Sequence, residues 1–245
     1  MIRRKTKTRR IRKINRPIQL IIIRHGQSIR NKSKPGAIYF ENEEARQGIC
    51  GIPDHKIPLT EEGMVQAEKT GDALREKFGI PDYVYHSGYV RTEQTLEGIL
   101  KAFSERERLK IKIRMNQFIR ERDPGYAYDM TKKEAEKYFP WLKGHWKTFG
   151  GYFSRPVGGE SLADVSQRVH TFLNSIFRDR AGKKVWIVTH GGTIRTFRFL
   201  LERWNYNQAL SWPEGQRPKN CGVTVYNFDP KNGRLVLQEY NTVHW

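Results

Sequence analysis

The sequence predicts an α/β protein with a three-layer αβα architecture: a mostly parallel central sheet, helices on both of its faces, and a small cap region. Short runs of β-branched and aromatic residues alternate along the chain with segments whose apolar residues recur at helical spacing. This alternation favours a parallel sheet covered on both faces. The chain has 245 residues, which is long enough to bury such a core. No run approaches the roughly 18 apolar residues of a membrane span, so we expect no membrane contact.

The first part of the chain contains one strand, one long loop and one helix. Residues 18–23 are almost uniformly aliphatic and predict a strand. Recurring proline and glycine predict a long loop over residues 33–58. Thr60 precedes two acids and predicts the cap of a helix over "TEEGMVQAEKTGDALREKF". The apolar stripe expected on this helix consists of Val65, Ala67, Leu74 and Phe78.

The rest of the chain continues the alternation. Aromatic and β-branched residues predict strands, and apolar residues at helical spacing predict helices. In order, we expect a strand at 82–87, a helix at 91–103, a strand at 110–115, a helix at 162–178, a strand at 184–192 followed by the helix "TIRTFRFLLERW", and closing strands at 222–228 and 234–240.

The segment 126–155 differs from the rest because nine aromatic residues lie in it among lysines and an arginine. This composition is typical of a small packed subdomain. It also fits a cap over a pocket that takes anionic organic substrates, and the two interpretations are compatible. We therefore treat residues 126–155 as a cap insertion within a domain that spans 18–245.

The first 17 residues hold nine lysines or arginines and no acid, within a chain of net charge +19. Like charges at this density repel each other, so we expect a disordered tail before Pro17. Three interpretations stay open: a solvated tail, a segment that binds nucleic acid or another polyanion, and a presequence of mitochondrial type.

Cys50 and Cys221 are far apart, and no spacing typical of a metal site occurs in the sequence. Two reduced thiols indicate a reducing compartment, so we expect a cytoplasmic protein without a bound metal.

Two of the predicted strands end in His-Gly. Arg24 and His25 follow the first strand, and His190 and Gly191 follow the strand that starts at 184. Ligands of parallel sheets lie beyond the carboxyl ends of the strands, so we expect the two histidines to meet at one edge.

The residue types at this edge fit the transfer of a phosphoryl group. Guanidinium groups such as those of Arg24 and Arg91 match phosphoryl oxygens with two-pronged hydrogen bonds. One histidine can attack phosphorus, and a second, protonated histidine can stabilise the transition state. An acid is still needed for the leaving oxygen, and "FIRERDPG" supplies Glu121 just past the strand at 110–115.

Six segments, in this order, resemble the histidine phosphatase superfamily, which includes the phosphoglycerate mutases. They are "IIIRHGQSIRN", "PLTEEGMVQA", "SGYVRTEQT", "RERDPG", "GGESLADVSQRV" and "VTHGGTIR", and they cover roughly residues 18–228. The segments "GIPDHKIPLTEEG" and "GGESLADV" are most similar to the branch of broad-range acid phosphatase-like proteins.

The resemblance implies a role for each candidate residue. His25 is expected to be the nucleophile, and Arg24, Arg91 and His190 to hold the phosphoryl oxygens. Glu121 is expected to give a proton to the leaving group and later to take one from water. Asn31 and Gly191 are expected to contact the substrate, and neither a metal nor an organic cofactor is expected.

The resemblance favours a phosphomonoester hydrolase that acts on small phosphorylated metabolites through a phosphohistidine intermediate. One alternative is a phosphotransferase of the phosphoglycerate mutase type, although the segment 126–155 is shorter than the insert typical of the mutases. Another alternative is a nucleic-acid-associated protein that uses the basic tail. The choice of substrate stays open at this point.

Overall fold

The computed structural model describes residues 14–34, 39–213 and 215–245. The basic segment 1–13, on which most of the tail prediction depends, lies outside the described residues. The strands are β1 (Gln19–Arg24), β2 (Tyr83–His86), β3 (Lys112–Met115), β4 (Lys184–Thr189), β5 (Val223–Asp229) and β6 (Arg234–Thr242). The helices are α1 (Ile29–Ser33), α2 (Glu43–Gln47), α3 (Glu61–Phe78), α4 (Val90–Leu100), α5 (Glu105–Arg108), α6 (Lys132–Tyr138), α7 (Leu142–Phe149), α8 (Leu162–Asp179), α9 (Gly191–Glu202) and α10 (Tyr206–Leu210).

The six strands form one sheet in the order β3-β2-β4-β1-β5-β6. β3, β2, β4 and β1 run parallel to one another, whereas β5 is antiparallel to β1, and β6 to β5. The predicted α/β class with a mostly parallel sheet is therefore confirmed. Because β1 and β4 are neighbours in parallel, the residues that follow them emerge at the same edge.

β1 shows why the sheet is covered on both faces. Leu20 and Ile22 pack into a cluster with α8 and α9, whereas Ile21 and Ile23 pack on the opposite face with α3 and α4. Successive side chains of a strand point to opposite faces, so a strand that is buried on both sides is apolar throughout. The aliphatic run in the sequence is thus the centre of two cores.

The start of α3 lies against the segment that follows His25. Thr60 caps α3 by accepting the N–H of Gly63 at 3.0 Å, as the sequence predicts. A Cβ atom added to Gly63 would overlap the carbonyl oxygen of Gln27, and one added to Gly26 would overlap the carbonyl of Gly63. The two backbones therefore approach each other as closely as they do only because both positions are glycine.

We expect Gly63→Ala to lower the free energy of unfolding by about 2–3 kcal/mol, because a backbone carbonyl has to shift to admit the methyl group. The measurement is the midpoint of urea unfolding. Gly144→Ala in α7 is the matched control, since nothing lies within 4 Å of its added Cβ atom and alanine is the better helix former. Equal midpoints for Gly63→Ala and the unaltered protein would contradict the close approach.

Two details differ from the sequence prediction. The expected loop at 33–58 contains α2 and a short 3₁₀ turn at Asp54–Lys56, and it buries Phe40, Ile49 and Ile57 in a small cluster of their own. Val65 does not belong to the buried stripe of α3, because it is 50% exposed. The buried neighbour is Gln66, whose Oε1 accepts the N–H of Gln27 at 2.9 Å.

The segment 126–155 is joined to the loop before it. The backbones of Phe40 and Met130 are hydrogen-bonded at 3.0 Å, and Arg46 forms an ion pair with Glu134 at 3.0 Å. Several of its aromatic side chains are exposed, among them those of Trp141 and Phe149. This segment is thus only partly packed.

The folded chain already includes Arg16, near the end of the basic segment. Its Nε donates to the carbonyl of Gly233 at 3.1 Å, and its guanidinium lies over the ring of Phe177. Within the described residues, no helix has the length and apolar character needed to cross a bilayer.

Candidate active site

β1 and β4 bring the two predicted histidines together. Arg24 and Thr189 are register partners at the ends of these strands, so His25 and His190 leave the sheet side by side. Their ring centroids are 5.2 Å apart, and both residues are buried. The expectation that two His-Gly strand ends meet at one edge is borne out by this geometry.

The hydrogen bond of the His25 ring fixes its protonation state. Nδ1 lies 2.7 Å from the carbonyl oxygen of Gly26. A carbonyl oxygen only accepts, so Nδ1 carries the proton and donates it. In the neutral ring, Nε2 then holds a free lone pair, which is the form that a nucleophile needs.

The second histidine is oriented by a chain of hydroxyl groups. The Thr92 hydroxyl donates to the carbonyl of Tyr89 at 2.8 Å, so its only proton is used there. Ser87 Oγ lies 3.0 Å from Thr92 Oγ1 and therefore donates to it. Ser87 Oγ is then the acceptor for His190 Nε2, at 2.8 Å. Among the described residues Nδ1 of His190 has no hydrogen-bond partner, although it is buried, so it is the ring atom left for a ligand.

The surroundings of both rings disfavour a positive charge. Burial, and next the guanidinium groups of Arg91 and Arg24, hold the pKa of His25 well below 6.5. Burial, Arg91 and the other histidine do the same to the pKa of His190. Both rings are therefore neutral at pH 7 when no anion is bound.

We expect the free energy of unfolding to fall as the pH drops below about 6.5, the pKa of an unfolded histidine. There the unfolded chain takes up protons that the buried rings refuse, so the unfolded state binds more protons and acid favours it. The slope of stability against pH, from urea unfolding between pH 5 and 7, should be shallower in His190→Asn. His170→Asn, on the exposed side of α8, is the control. A slope unchanged by His190→Asn would show that this ring does not resist protonation.

The two arginines lie on either side of the histidines. Arg24 is anchored through Nη1 to the carbonyl of Pro218 at 2.6 Å, whereas its buried Nε has no hydrogen-bond partner among the described residues. Arg91 emerges from α4, is buried, and donates to the backbone carbonyl and the carboxylate of Asp54 at 2.5 and 3.2 Å. Asp54 thus fixes the guanidinium of Arg91 at the pocket.

Glu121 reaches the same pocket from the loop that follows β3. Its Oε1 accepts the backbone N–H groups of Arg122 at 2.9 Å and Gly192 at 3.1 Å. Gly192 belongs to the first turn of α9, directly after His190. These bonds set the direction of the carboxylate, and Glu121 lines the pocket together with His25.

Asn31 also lines the pocket, and its amide is held at one end. Its Oδ1 accepts from Asn220 Nδ2 at 3.0 Å and from the Ser28 hydroxyl at 3.0 Å. The Nδ2 end is therefore the one available to a ligand. Ser28 itself caps α1 in a reciprocal capping box, as expected of a cap rather than a second nucleophile.

These side chains surround a pocket of about 330 Å³. Of the predicted residues, Arg24, His25, Asn31, Arg91 and Glu121 line it, His190 lies directly behind His25, and Gly191 lines a wider cleft beside it. Burial and the nearby Arg30 lower the pKa of Lys34, another lining residue, to about 7. The site therefore collects positive charge, which suits an anionic ligand.

Sequence reasoning missed three residues that position the site, namely Asp54, Ser87 and Asn220. Ser87 follows β2 directly within the segment "SGYVRTEQT", so its place at a strand end was a usable signal. Asp54 and Asn220 lie in loops, and their partners are distant in sequence. No local pattern indicates such contacts.

Comparison with known proteins identifies the family. The Histidine phosphatase superfamily (branch 1) matches residues 20–241. The chain is 35% identical over 208 residues to "Phosphoglycerate mutase-like protein AT74H" of Arabidopsis thaliana, a match that covers 77% of this chain and 67% of that protein. It is 28% identical over 220 residues to a 2,3-bisphosphoglycerate-dependent phosphoglycerate mutase of Parvibaculum lavamentivorans, covering 89% and 93% of the two chains.

A third relative and one solved structure complete the comparison. The broad-range acid phosphatase DET1 of Saccharomyces cerevisiae is 25% identical over 315 residues, with 91% of this chain and 89% of that protein covered. The structure of Bacillus stearothermophilus YhfR has a TM-score of 0.69 and 24% identity, and the match covers 92% of this chain and 98% of that one. It supports the fold alone.

The family match spans nearly the whole folded part of the chain, and it includes both strand-end histidines. The chain belongs to the histidine phosphatase superfamily.

Proposed function

We propose that the chain is a cytoplasmic phosphomonoester hydrolase that acts on small phosphorylated metabolites through a phosphohistidine at His25. The observation that carries this proposal is the Nδ1–H···O=C bond of His25, which leaves Nε2 unprotonated beside two arginines and a second histidine. Family membership supports phosphatase or phosphotransferase chemistry in general. The cytoplasmic location is supported by two free thiols, Cys50 and Cys221.

In the first step, Nε2 of His25 attacks phosphorus while the bond from phosphorus to the leaving oxygen breaks. Arg24 and Arg91 hold the phosphoryl oxygens through their remaining N–H groups. Because the pKa of His25 is depressed, the ring is ready to attack at neutral pH without first losing a proton.

His190 becomes positively charged when the substrate binds. Its Nε2–H is used by Ser87, so only a protonated ring can also donate from Nδ1 to a phosphoryl oxygen. The phosphoryl dianion offsets the positive potential that keeps this ring neutral in the empty site. The proton thus arrives together with the charge that it stabilises.

Glu121 serves both halves of the reaction. As a carboxylic acid it donates its proton to the leaving oxygen, and as a carboxylate it then takes a proton from water. The water attacks the phosphohistidine, the bond from phosphorus to Nε2 breaks, and inorganic phosphate leaves. The backbone bonds of Glu121 to Arg122 and Gly192 keep the carboxylate aimed at one position throughout.

The experiment that tests this function measures phosphate release from a panel of sugar phosphates, nucleotides and glycerate phosphates. A hydrolase releases inorganic phosphate from at least one of them. A mutase instead moves the phosphoryl group between positions of phosphoglycerate and depends on 2,3-bisphosphoglycerate as a primer. Primer-dependent isomerisation without phosphate release would overturn hydrolysis in favour of the phosphotransferase.

We further propose that the basic tail binds polyanions independently of catalysis. Removing residues 1–13, which hold all of its basic residues except Arg16, should leave turnover of a small substrate within a factor of about two, because every catalytic motif lies downstream. Binding to double-stranded DNA should weaken, and its dependence on salt should flatten. Loss of turnover on truncation would mean that the tail belongs to the active site.

A further inference from the structure

A second, wider cleft adjoins the phosphoryl pocket. It has a volume of about 1040 Å³, and Arg122 and Trp146 line both spaces. Arg195 and Arg217 line the wide cleft but not the pocket. Among the described residues that line the cleft, Glu121 is the only carboxylate, and it faces the phosphoryl pocket as well. The cleft is thus a basic extension of the site, large enough for the organic part of a metabolite.

Arg195 is held in place without being neutralised. Its Nη1 donates to the carbonyl of Leu210 at 3.0 Å, and its guanidinium lies 5.0 Å from the ring centroid of Trp212. Its Nε is buried and has no hydrogen-bond partner among the described residues. Burial, then the charges of Arg122 and Arg217, lower the pKa of Arg195 to about 10.

Arg122 is fixed in the same manner. Its Nε and Nη2 donate to the carbonyls of Glu160 at 2.7 Å and Ser154 at 3.4 Å, which are neutral acceptors. The neighbouring Arg168 instead forms an ion pair with the Glu160 carboxylate at 2.9 Å. Guanidinium groups that gather without a carboxylate repel one another, and a bound anion relieves this repulsion.

We propose that Arg122, Arg195 and Arg217 form a second anion subsite, and that the substrate is a phosphomonoester that carries a further phosphate group on the same molecule. This inference rests on the proposed function, because the first phosphate occupies the pocket at His25. Three guanidinium charges match a phosphate dianion better than a single carboxylate, and the planar groups bind its oxygens in pairs.

The test compares matched substrates that differ by one phosphate: fructose 6-phosphate with fructose 1,6-bisphosphate, and adenosine 5′-monophosphate with adenosine 3′,5′-bisphosphate. The preference is the ratio of kcat/KM for the bisphosphate to that for the monophosphate, at 0.15 M salt. We expect a preference of at least tenfold in one pair, mainly through KM. Arg195→Gln should lower that preference about tenfold, or about 1.4 kcal/mol.

Arg217→Gln provides a second variant that does not disturb the buried side of the cleft, because Arg217 is exposed. It should lower the preference severalfold in the same direction. Arg178→Gln is the matched control: it removes one positive charge from α8, where Arg178 pairs with Asp179 away from the cleft, and it should keep the preference of the unaltered protein.

The outcomes separate this inference from the proposed function. Turnover of p-nitrophenyl phosphate without a preference for either bisphosphate would overturn the second subsite and leave the phosphatase intact. A preference that survives both Arg195→Gln and Arg217→Gln would overturn the assignment to these arginines. No phosphate release from any phosphomonoester would overturn the proposed function and, with it, the inference.

Discussion

His25→Ala should lose turnover by a factor on the order of 10⁴ or more while remaining folded. Without Nε2 no group is placed to attack phosphorus, and the remaining arginines and His190 only bind the phosphoryl group. Steady-state phosphate release measures the loss, and circular dichroism with thermal unfolding checks the fold.

His86→Ala is the matched control for this variant. His86 also ends a strand of the same sheet, but it is near Glu93 and lines neither the pocket nor the wide cleft. Its turnover should stay within about threefold of the unaltered protein. If His25→Ala kept more than about 1% of the activity, the attacking group would have to be a different residue.

Glu121→Gln should slow phosphoryl transfer from glycerol phosphate by about 10²–10⁴-fold, and far less from p-nitrophenyl phosphate. An alkoxide needs a proton as the P–O bond breaks, whereas nitrophenolate leaves without one, and general acid help is typically of this size. Glutamine can keep the bonds from the Arg122 and Gly192 N–H groups through its own oxygen, so the shape of the site is preserved. Rapid-quench measurement of the burst phase isolates this step.

Asp123→Asn is the control for the acid. Asp123 is the next carboxylate in the same loop, but it is exposed, accepts the Gly125 N–H at 2.8 Å and does not line the pocket. Its burst should be unchanged for both substrates. If Glu121→Gln slowed the burst equally for both leaving groups, the proton donor would have to be sought elsewhere, beginning with Asp123.

The sequence was sufficient to predict the meeting of His25 and His190. Two buried strands that end in His-Gly have little freedom once they are parallel neighbours, and the observed register of Arg24 and Thr189 follows. The helix cap at Thr60 and the apolar face of α8 were equally accessible, because local hydrogen bonds and helical spacing determine them.

Contacts that depend on the paths of loops could not be predicted. Asp54 reaches Arg91 only because the loop at 33–58 folds around its own cluster of Phe40, Ile49 and Ile57, which have no helical spacing. Val65 looked as apolar as its neighbours, but a backbone N–H of a distant residue selected Gln66 for the buried side. The protonation state of the His25 ring likewise depends on a three-dimensional contact.

The central claim is tested most directly by trapping the covalent intermediate. Enzyme mixed with a ³²P-labelled phosphomonoester and denatured within milliseconds should carry a phosphoryl group that is labile in acid and stable in base, as expected for a nitrogen–phosphorus bond. Peptide mapping under alkaline conditions should place this label on His25, and His190→Asn should slow its formation. A label on another residue, or no label at any time in enzyme that is turning over, would contradict the account.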